Sequence, residues 1–270
     1  MKRYLIGTAA VLCGVLLTGA AFAGDLKMNG STTVLPIAQA AAEKFMASNS
    51  DVKITVSGGG SGNGIKALID GTTDIAMASR PMKDKEKSDA EAKGVKPFEI
   101  KVAIDALCAM VHPSNPVNDL SLEQLKEIYM GKIENWKALG GEEKAIAVAG
   151  RDTSSGTFGT WEEMVMHGEK VTPKALVTAS AGALLQTVAK NPLAIGYDGI
   201  AYINDSVKAL KVGGVEANAA NAKNGSYPLS RFLFLYTNGE PQGDAKAFVD
   251  YLLSPEGQKI VEQVGYIPLN

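Results

Sequence analysis

Short apolar and polar stretches alternate along this chain in a recurring order of strand, loop and helix. Residues 26–28 (LKM) predict a strand, 29–33 (NGSTT) a polar turn and 34–46 (VLPIAQAAAEKFM) a helix. Pro36 sits near that helix start, where the first-turn N–H groups have no intrahelical partner to lose. The alternating VKITV (52–56) predicts a second strand, followed by the glycine-rich turn 58–64, a short helix over 64–71 and the strand DIAMAS (74–79). Repeated units of this kind indicate an α/β domain with a largely parallel sheet.

A charged stretch, KDKEKSDAEAKG (83–94), reads as solvated, and FEIKVAIDALCAMVHP (98–113) as a long apolar strand. Residues 121–140 open with a Ser N-cap and carry Leu122, Leu125 and Ile128 at helical spacing. AIAVAG (145–150) is a buried-type strand that runs directly into RDTSSGT (151–157). A helix over 181–191, strands over 193–200 and 227–237, and two helical pieces broken at Ser254 and Pro255 complete the pattern. Two long strand-like crossings, near 100–111 and 227–237, suggest two lobes joined by a two-segment hinge. The first lobe would comprise residues 24–104 plus 229–270, and the second 105–228.

The N-terminus changes the count. A basic start at Lys2 and Arg3, an apolar run, then Ala21 and Ala23 have the layout of a secretory signal peptide cleaved after residue 23. The 270-residue chain, less this leader, leaves 247 residues, which suits two lobes. Cys13 lies inside the apolar run with Val and Leu after it, which argues against lipidation. Cys108 is then the only mature cysteine, so no internal disulfide is expected. Loss of Lys2 and Arg3 takes the formal charge from −2 to −4, against any general affinity for nucleic acid or anionic lipid. An anion site, if present, must be local.

Four polar loops follow strands: NGSTT (29–33), GGGSGNG (58–64), ASRP (78–81) and RDTSSGT. Ligands of open α/β sheets sit at the carboxyl ends of strands, where helix N-termini present free N–H groups. Small residues and hydroxyls there, joined by Arg80 and Arg151, suit an oxyanion, although N-capping and turn chemistry use the same residues. A serine nucleophile would need a base. The chain has only His112, in a loop before a proline, and His167, on the surface of a helix after Trp161. Neither serine loop fits G-x-S-x-G, no loop fits a nucleotide-binding P-loop or dinucleotide fingerprint, and nothing spells a transition-metal site. Trp136 and Trp161 read as packing residues. Asp152 either braces Arg151 or accepts a proton from the ligand.

With these loops assembled, the chain resembles the periplasmic phosphate-binding proteins of high-affinity phosphate ABC transporters. The likeness runs through NGSTTVLPIA, GGGSGNGIKAL, DIAMASRPM, GKIENW, RDTSSGTFGTW, LAIGYDGIAY, YPLSR and SPEGQKIVEQVGYIPL. It implies a type II periplasmic binding fold whose two lobes close on one dehydrated phosphate. It implies a monomeric, non-enzymatic receptor without cofactor, serving inner-membrane permease subunits. By position it assigns phosphate contacts to Ser31, Thr32 and Thr33, to Ser61 and Gly62, and to Ser79. It assigns Arg151, Ser155, Gly156 and Thr157 to the second lobe's clamp, with Asp152 as a looser match. Arg80 departs from the family pattern, in which an aspartate after the serine accepts the proton of hydrogen phosphate. The acceptor is thus unassigned, and sulfate, molybdate, tungstate or phosphonate remain as other oxyanion ligands; a secreted phosphatase using Ser155 is the alternative of another class.

Overall fold

The computed structural model describes residues 24–270; the expected signal peptide, residues 1–23, lies outside them. Its elements in chain order are β1 (Gly24–Gly30), α1 (Leu35–Ser48), β2 (Val52–Gly58), α2 (Ser61–Ile69), β3 (Ile75–Ala78) and α3 (Asp84–Ala92). Then come β4 (Pro97–Val111), β5 (Asp119–Leu120), α4 (Leu122–Met130), β6 (Ala147–Arg151), α5 (Gly156–Trp161), β7 (Leu176–Thr178) and α6 (Ala181–Ala189). The chain ends with β8 (Ala194–Gly199), β9 (Lys208–Ala209), β10 (Lys211–Val212), α7 (Ala219–Lys223), β11 (Ser230–Asn238), α8 (Gly243–Leu253) and α9 (Pro255–Gln263).

One sheet runs the length of the molecule in the order β2-β1-β3-β11-β4-β8-β6-β7, with β9 also on β4. Strands β1, β2 and β3 are mutually parallel, as are β6, β7 and β8. Between the two sets, β11 and β4 run antiparallel, and β4 changes partner along its length. Its first part pairs with β11 through Ala106, and its second part pairs with β8 from Leu107 onward. This arrangement points the carboxyl ends of both parallel sets at the middle of the sheet, from opposite sides.

Strands β3 and β8 are covered on both faces and buried throughout, whereas β1 and β2 alternate between buried and exposed positions. All four residues of β3 and all six of β8 are buried. Beside β1–β3, α1, α8 and α9 pack one face through Ile37, Phe45, Phe248 and Val261, while Ile65 and Leu68 of α2 and Ala90 of α3 cover the other. Beside β6–β8, Leu125, Ile128, Tyr129 and Trp161 fill one face, and Leu184 and Val188 of α6 the other. Trp136 and Trp161 are both core residues, as the sequence suggests. Cys108 is buried and free.

Two segments differ from the sequence reading. The charged stretch 83–94 is solvent-exposed as the sequence suggests, but it carries the helix α3 (Asp84–Ala92). Glu86 turns back to the Lys83 N–H in its first turn, and Ala90 gives it one buried contact. The helix expected over 121–140 stops at Met130. Gly131 takes a left-handed conformation there (φ 77°), and Trp136–Leu139 forms a separate 3-10 turn.

Candidate functional site

The central convergence of strand ends brings the four polar loops together. From the β1 side, Gly30 ends its strand and Ser31, Thr32 and Thr33 enter α1. Ser31 Oγ accepts from the N–H groups of Thr33 and Val34, which is capping chemistry. Tyr202 and Tyr266 hold this loop by donating to the carbonyls of Thr32 and Thr33, at 2.7 and 2.8 Å. The Thr33 hydroxyl thereby meets α5, and the Thr32 hydroxyl meets Arg151 and the start of α6.

Thr33 Oγ1 lies 2.7 Å from Thr157 Oγ1, across the junction of the two half-sheets. Ser79 Oγ is 3.4 Å from both Thr157 Oγ1 and Ser61 Oγ, and Ser61 Oγ accepts from the Ser79 N–H. Four hydroxyls from four loops thus form one buried cluster at the N-termini of α1, α2 and α5, where aligned peptide N–H groups favour negative charge. Gly156 is what lets the loops approach. A Cβ there would run into Ser61 Oγ and lie 2.6 Å from Ser79 Oγ. Gly62 donates its N–H to the Ser154 carbonyl, and Ser155 caps α5 through the Phe158 N–H.

Arg151 ends β6 and is 3% exposed. Its Nη2 donates to Thr32 Oγ1 at 3.1 Å and to the Ala179 carbonyl, whereas Nε and Nη1 are buried without a hydrogen-bond partner. Burying donors of a charged group unpaired is costly, so their presence calls for an acceptor. Asp152 does not brace Arg151. Its Oδ1 accepts from the N–H and hydroxyl of Ser154 and holds the loop itself.

Arg80 is also accounted for by a local partner. It makes a two-pronged pair with Glu86, Nη1 to Oε2 at 2.8 Å and Nη2 to Oε1 at 2.7 Å, and Nη1 also donates to the Pro81 carbonyl. Its Cδ lies against Gly159 and its Nη2 near Gly62, and its charge is directed at Glu86 of α3. Glu86 lies in the charged, largely exposed stretch, where only its pairing with Arg80 sets it apart.

Residues outside the four loops also reach the cluster. Arg231, at the start of β11, donates from Nη2 to Thr157 Oγ1 (3.1 Å), from Nη1 to Thr160 Oγ1 (3.2 Å) and from Nε to Asp105 Oδ2 (2.9 Å). Asp105 and Arg231 are direct cross-strand partners. Trp161 stacks on Tyr197, with ring centroids 4.2 Å apart, and Tyr197 Oη accepts from the Arg151 N–H at 3.4 Å. The signal for Asp105, Asp198 and Arg231 was available: each is a charged residue inside an otherwise apolar strand, which is rare without a partner or a task. The histidines stand apart. His112 Nδ1 pairs with Ser114, and His167 is exposed at the end of the turn after Trp161, so neither serves Ser155 as a base.

Among the described residues no helix is long and apolar enough to cross a membrane, and no cluster of His, Cys, Asp and Glu has metal-holding geometry. The model of the PBP superfamily domain matches residues 18–256. The phosphate-binding protein PstS of Bacillus subtilis is 38% identical, over 91% of this chain and 81% of that protein. A substrate-binding protein of Clostridium perfringens, solved with bound phosphate, superposes with a TM-score of 0.86 at 38% identity, covering 92% of this chain and all of that one. An ABC-type phosphate transport receptor from Vibrio cholerae gives 0.74 at 33% identity, over 90% of this chain and 99% of its own. On these grounds the chain belongs to the PBP superfamily and, within it, to the family of the PstS phosphate-binding proteins.

Proposed function

We propose that this protein captures inorganic phosphate between two lobes and delivers it to an ABC transporter permease. The observation that carries the reading is the pair of unpartnered buried donors on Arg151, set beside hydroxyls from four loops. A phosphate oxygen there would receive charge-assisted hydrogen bonds, and hydroxyls and peptide N–H groups would serve the rest. The contacts we assign are Thr32, Thr33, Ser61, Gly62 and Ser79 from one lobe, and Arg151, Ser155, Gly156 and Thr157 from the other. Ser31 and Asp152 support these loops from within. Arg80 and Glu86 form the wall beside Gly159, which leaves Arg80 a structural part rather than an anion donor.

The partner change of β4 between Ala106 and Leu107 supports lobe boundaries near 104/105 and 228/229. Anion contacts from both sides would favour the closed form by differential affinity. We further propose that the chain is exported with residues 1–23 removed, acts outside the cytoplasm as a monomer, and carries out no catalysis.

Submicromolar capture requires about −8 to −10 kcal/mol, and hydrogen bonds to a charged group contribute roughly 1.5–3 kcal/mol each. A handful of such contacts suffices after closure and desolvation are subtracted. Titration calorimetry on anion-stripped protein tests the reading. Phosphate should bind one per chain at micromolar or tighter Kd, with sulfate much weaker and no turnover of a phosphate ester. Sulfate or another oxyanion binding in its place would overturn it.

Gly156→Ala tests the packing of the loops. Its Cβ meets Ser61 and Ser79, an overpacking of about 1–3 kcal/mol. Phosphate affinity should drop roughly 5- to 150-fold, while the thermal transition of the anion-free protein moves little because the lobes can part.

A further inference from the structure

Behind the hydroxyl cluster, four charged side chains shielded from solvent lie across the middle of the sheet on four neighbouring strands: Arg231 on β11, Asp105 on β4, Asp198 on β8 and Arg151 on β6. Arg231 and Asp105 face each other in register and form an ion pair at 2.8 Å. Asp105 is fully engaged, since its Oδ1 also accepts from the Ile200 N–H. Asp198 is not. It is 0% exposed, its Oδ1 accepts only from the adjacent Gly199 N–H, and its Oδ2 is buried without a partner. The parallel register of β6 and β8 pairs Ala147 with Ala194 and Val148 with Ile195. Carried on by three residues, it sets Asp198 level with Arg151, whose own Nε and Nη1 are the unpartnered donors of the site.

We infer that Asp198 is a proton-holding positioning residue beneath the anion clamp: it takes up a proton from solvent when the anion arrives, so that capture and protonation are coupled. The inference rests on the phosphate reading above. A dianion held by Arg151 draws that residue's positive field away from Asp198 and adds its own negative field. The buried carboxylate then relieves the repulsion by binding a proton, which converts a lone acceptor into a neutral acid. Only the proton moves, from water to the carboxylate, and no covalent bond of the ligand changes.

The surroundings leave Asp198 poised for this. Arg151 from β6 and Arg231 from β11 favour its charged form, while Asp105 from β4 opposes it. Cys108, its register partner on β4, and the phenols of Tyr197 (β8), Tyr202 (3-10 turn 200–202) and Tyr266 (after α9) also face it, and all are neutral at physiological pH. Burial outweighs the two cations and raises the Asp198 carboxyl to about 7. An anion at Arg151 should raise it further. The contribution of Asp198 to affinity is therefore full below that range and diminishes as pH rises from 7 to 8.5.

Calorimetry of phosphate binding at pH 8, in two buffers of different ionisation enthalpy, counts the protons taken up. Wild type should take up nearly one proton more per phosphate than Asp198→Asn, the titration of phosphate itself being common to both. D198N, which imitates the protonated acid, should match wild type at pH 6 and bind about 30-fold tighter at pH 8.5, which lies about 1.5 units above the carboxyl of the anion-free protein, each unit being tenfold. A second measurement needs no variant. Carbon NMR of aspartate-labelled wild type should show one carboxyl titrating near neutrality without phosphate and remaining protonated to pH 9 with it. Equal proton counts and parallel pH profiles for the two proteins, or no aspartate titrating near neutrality, would overturn the inference while leaving phosphate capture intact. Failure of wild type to bind phosphate at all would instead remove the functional reading on which it rests.

Discussion

Replacing Arg151 with methionine should lower phosphate affinity by two to four orders of magnitude. Two buried donors, Nε and Nη1, have no partner within the protein. If each gives an anion a charge-assisted bond of about 1.5–3 kcal/mol, their joint loss is about 3–6 kcal/mol, at 1.4 kcal/mol per tenfold. The same change should leave the anion-free fold as stable as before or slightly more so. Only Nη2 is engaged, with Thr32 Oγ1 and the Ala179 carbonyl, and Thr32 Oγ1 retains the Ala181 N–H as a donor. A residue important for packing would behave in the opposite way, losing stability together with affinity. Arg151→Lys should fall between, because an ammonium restores charge without the planar fork. Calorimetry and thermal denaturation on the same samples separate these outcomes.

Arg231→Met should be the most damaging single change to stability. The substitution leaves Asp105, at 0% side-chain exposure, with a buried charge and no cation in contact. Breaking a buried pair from one side costs about 3–5 kcal/mol. For a chain of this size that corresponds to a fall in Tm of roughly 6–20 °C. Pairing it with Asp105→Asn should recover a large part of the loss, because no uncompensated charge then remains. Both variants should also weaken phosphate binding, since Thr157 Oγ1 loses the Arg231 donor that orients it. If R231M alone were as stable as wild type, the pair would not be what holds β4 to β11 at their crossing.

The four polar loops that converge were legible in the sequence because their chemistry is local. One glycine, four hydroxyls and an arginine within seven residues, between an apolar strand and a helix, announce a helix N-terminus that a ligand can approach. The layered α/β architecture was legible for a similar reason, since strand and helix periods alternate cleanly from residue 26 onward. The supporting charges were not, because their partners are remote in sequence. Asp105 meets Arg231 at a separation of 126 residues, and Asp198 lies level with Arg151 only through strand register. Glu86 looked like one charge among many in KDKEKSDAEAKG, and only the fold turns it onto Arg80. Of the two roles considered for Asp152, the brace on Arg151 fails for a geometric reason: an aspartate one residue after Arg151 is well placed for its own turn and engages Ser154 there.

The departure at ASRP also takes on a different meaning. An arginine where the family pattern has an acid would add a second cation to the site if it faced the anion. Glu86 holds that cation toward α3, so of the two loop arginines only Arg151 presents unpartnered donors to the hydroxyl cluster.

A crystal structure of the anion-stripped protein soaked with phosphate tests the central claim most directly. The account predicts one phosphate between the loops, with Arg151 Nε and Nη1 on its oxygens, hydroxyls of Thr33, Ser61 and Thr157 around it, and Arg80 still on Glu86. Phosphate bound elsewhere, or bound there with the Arg151 donors facing away from it, would contradict the account.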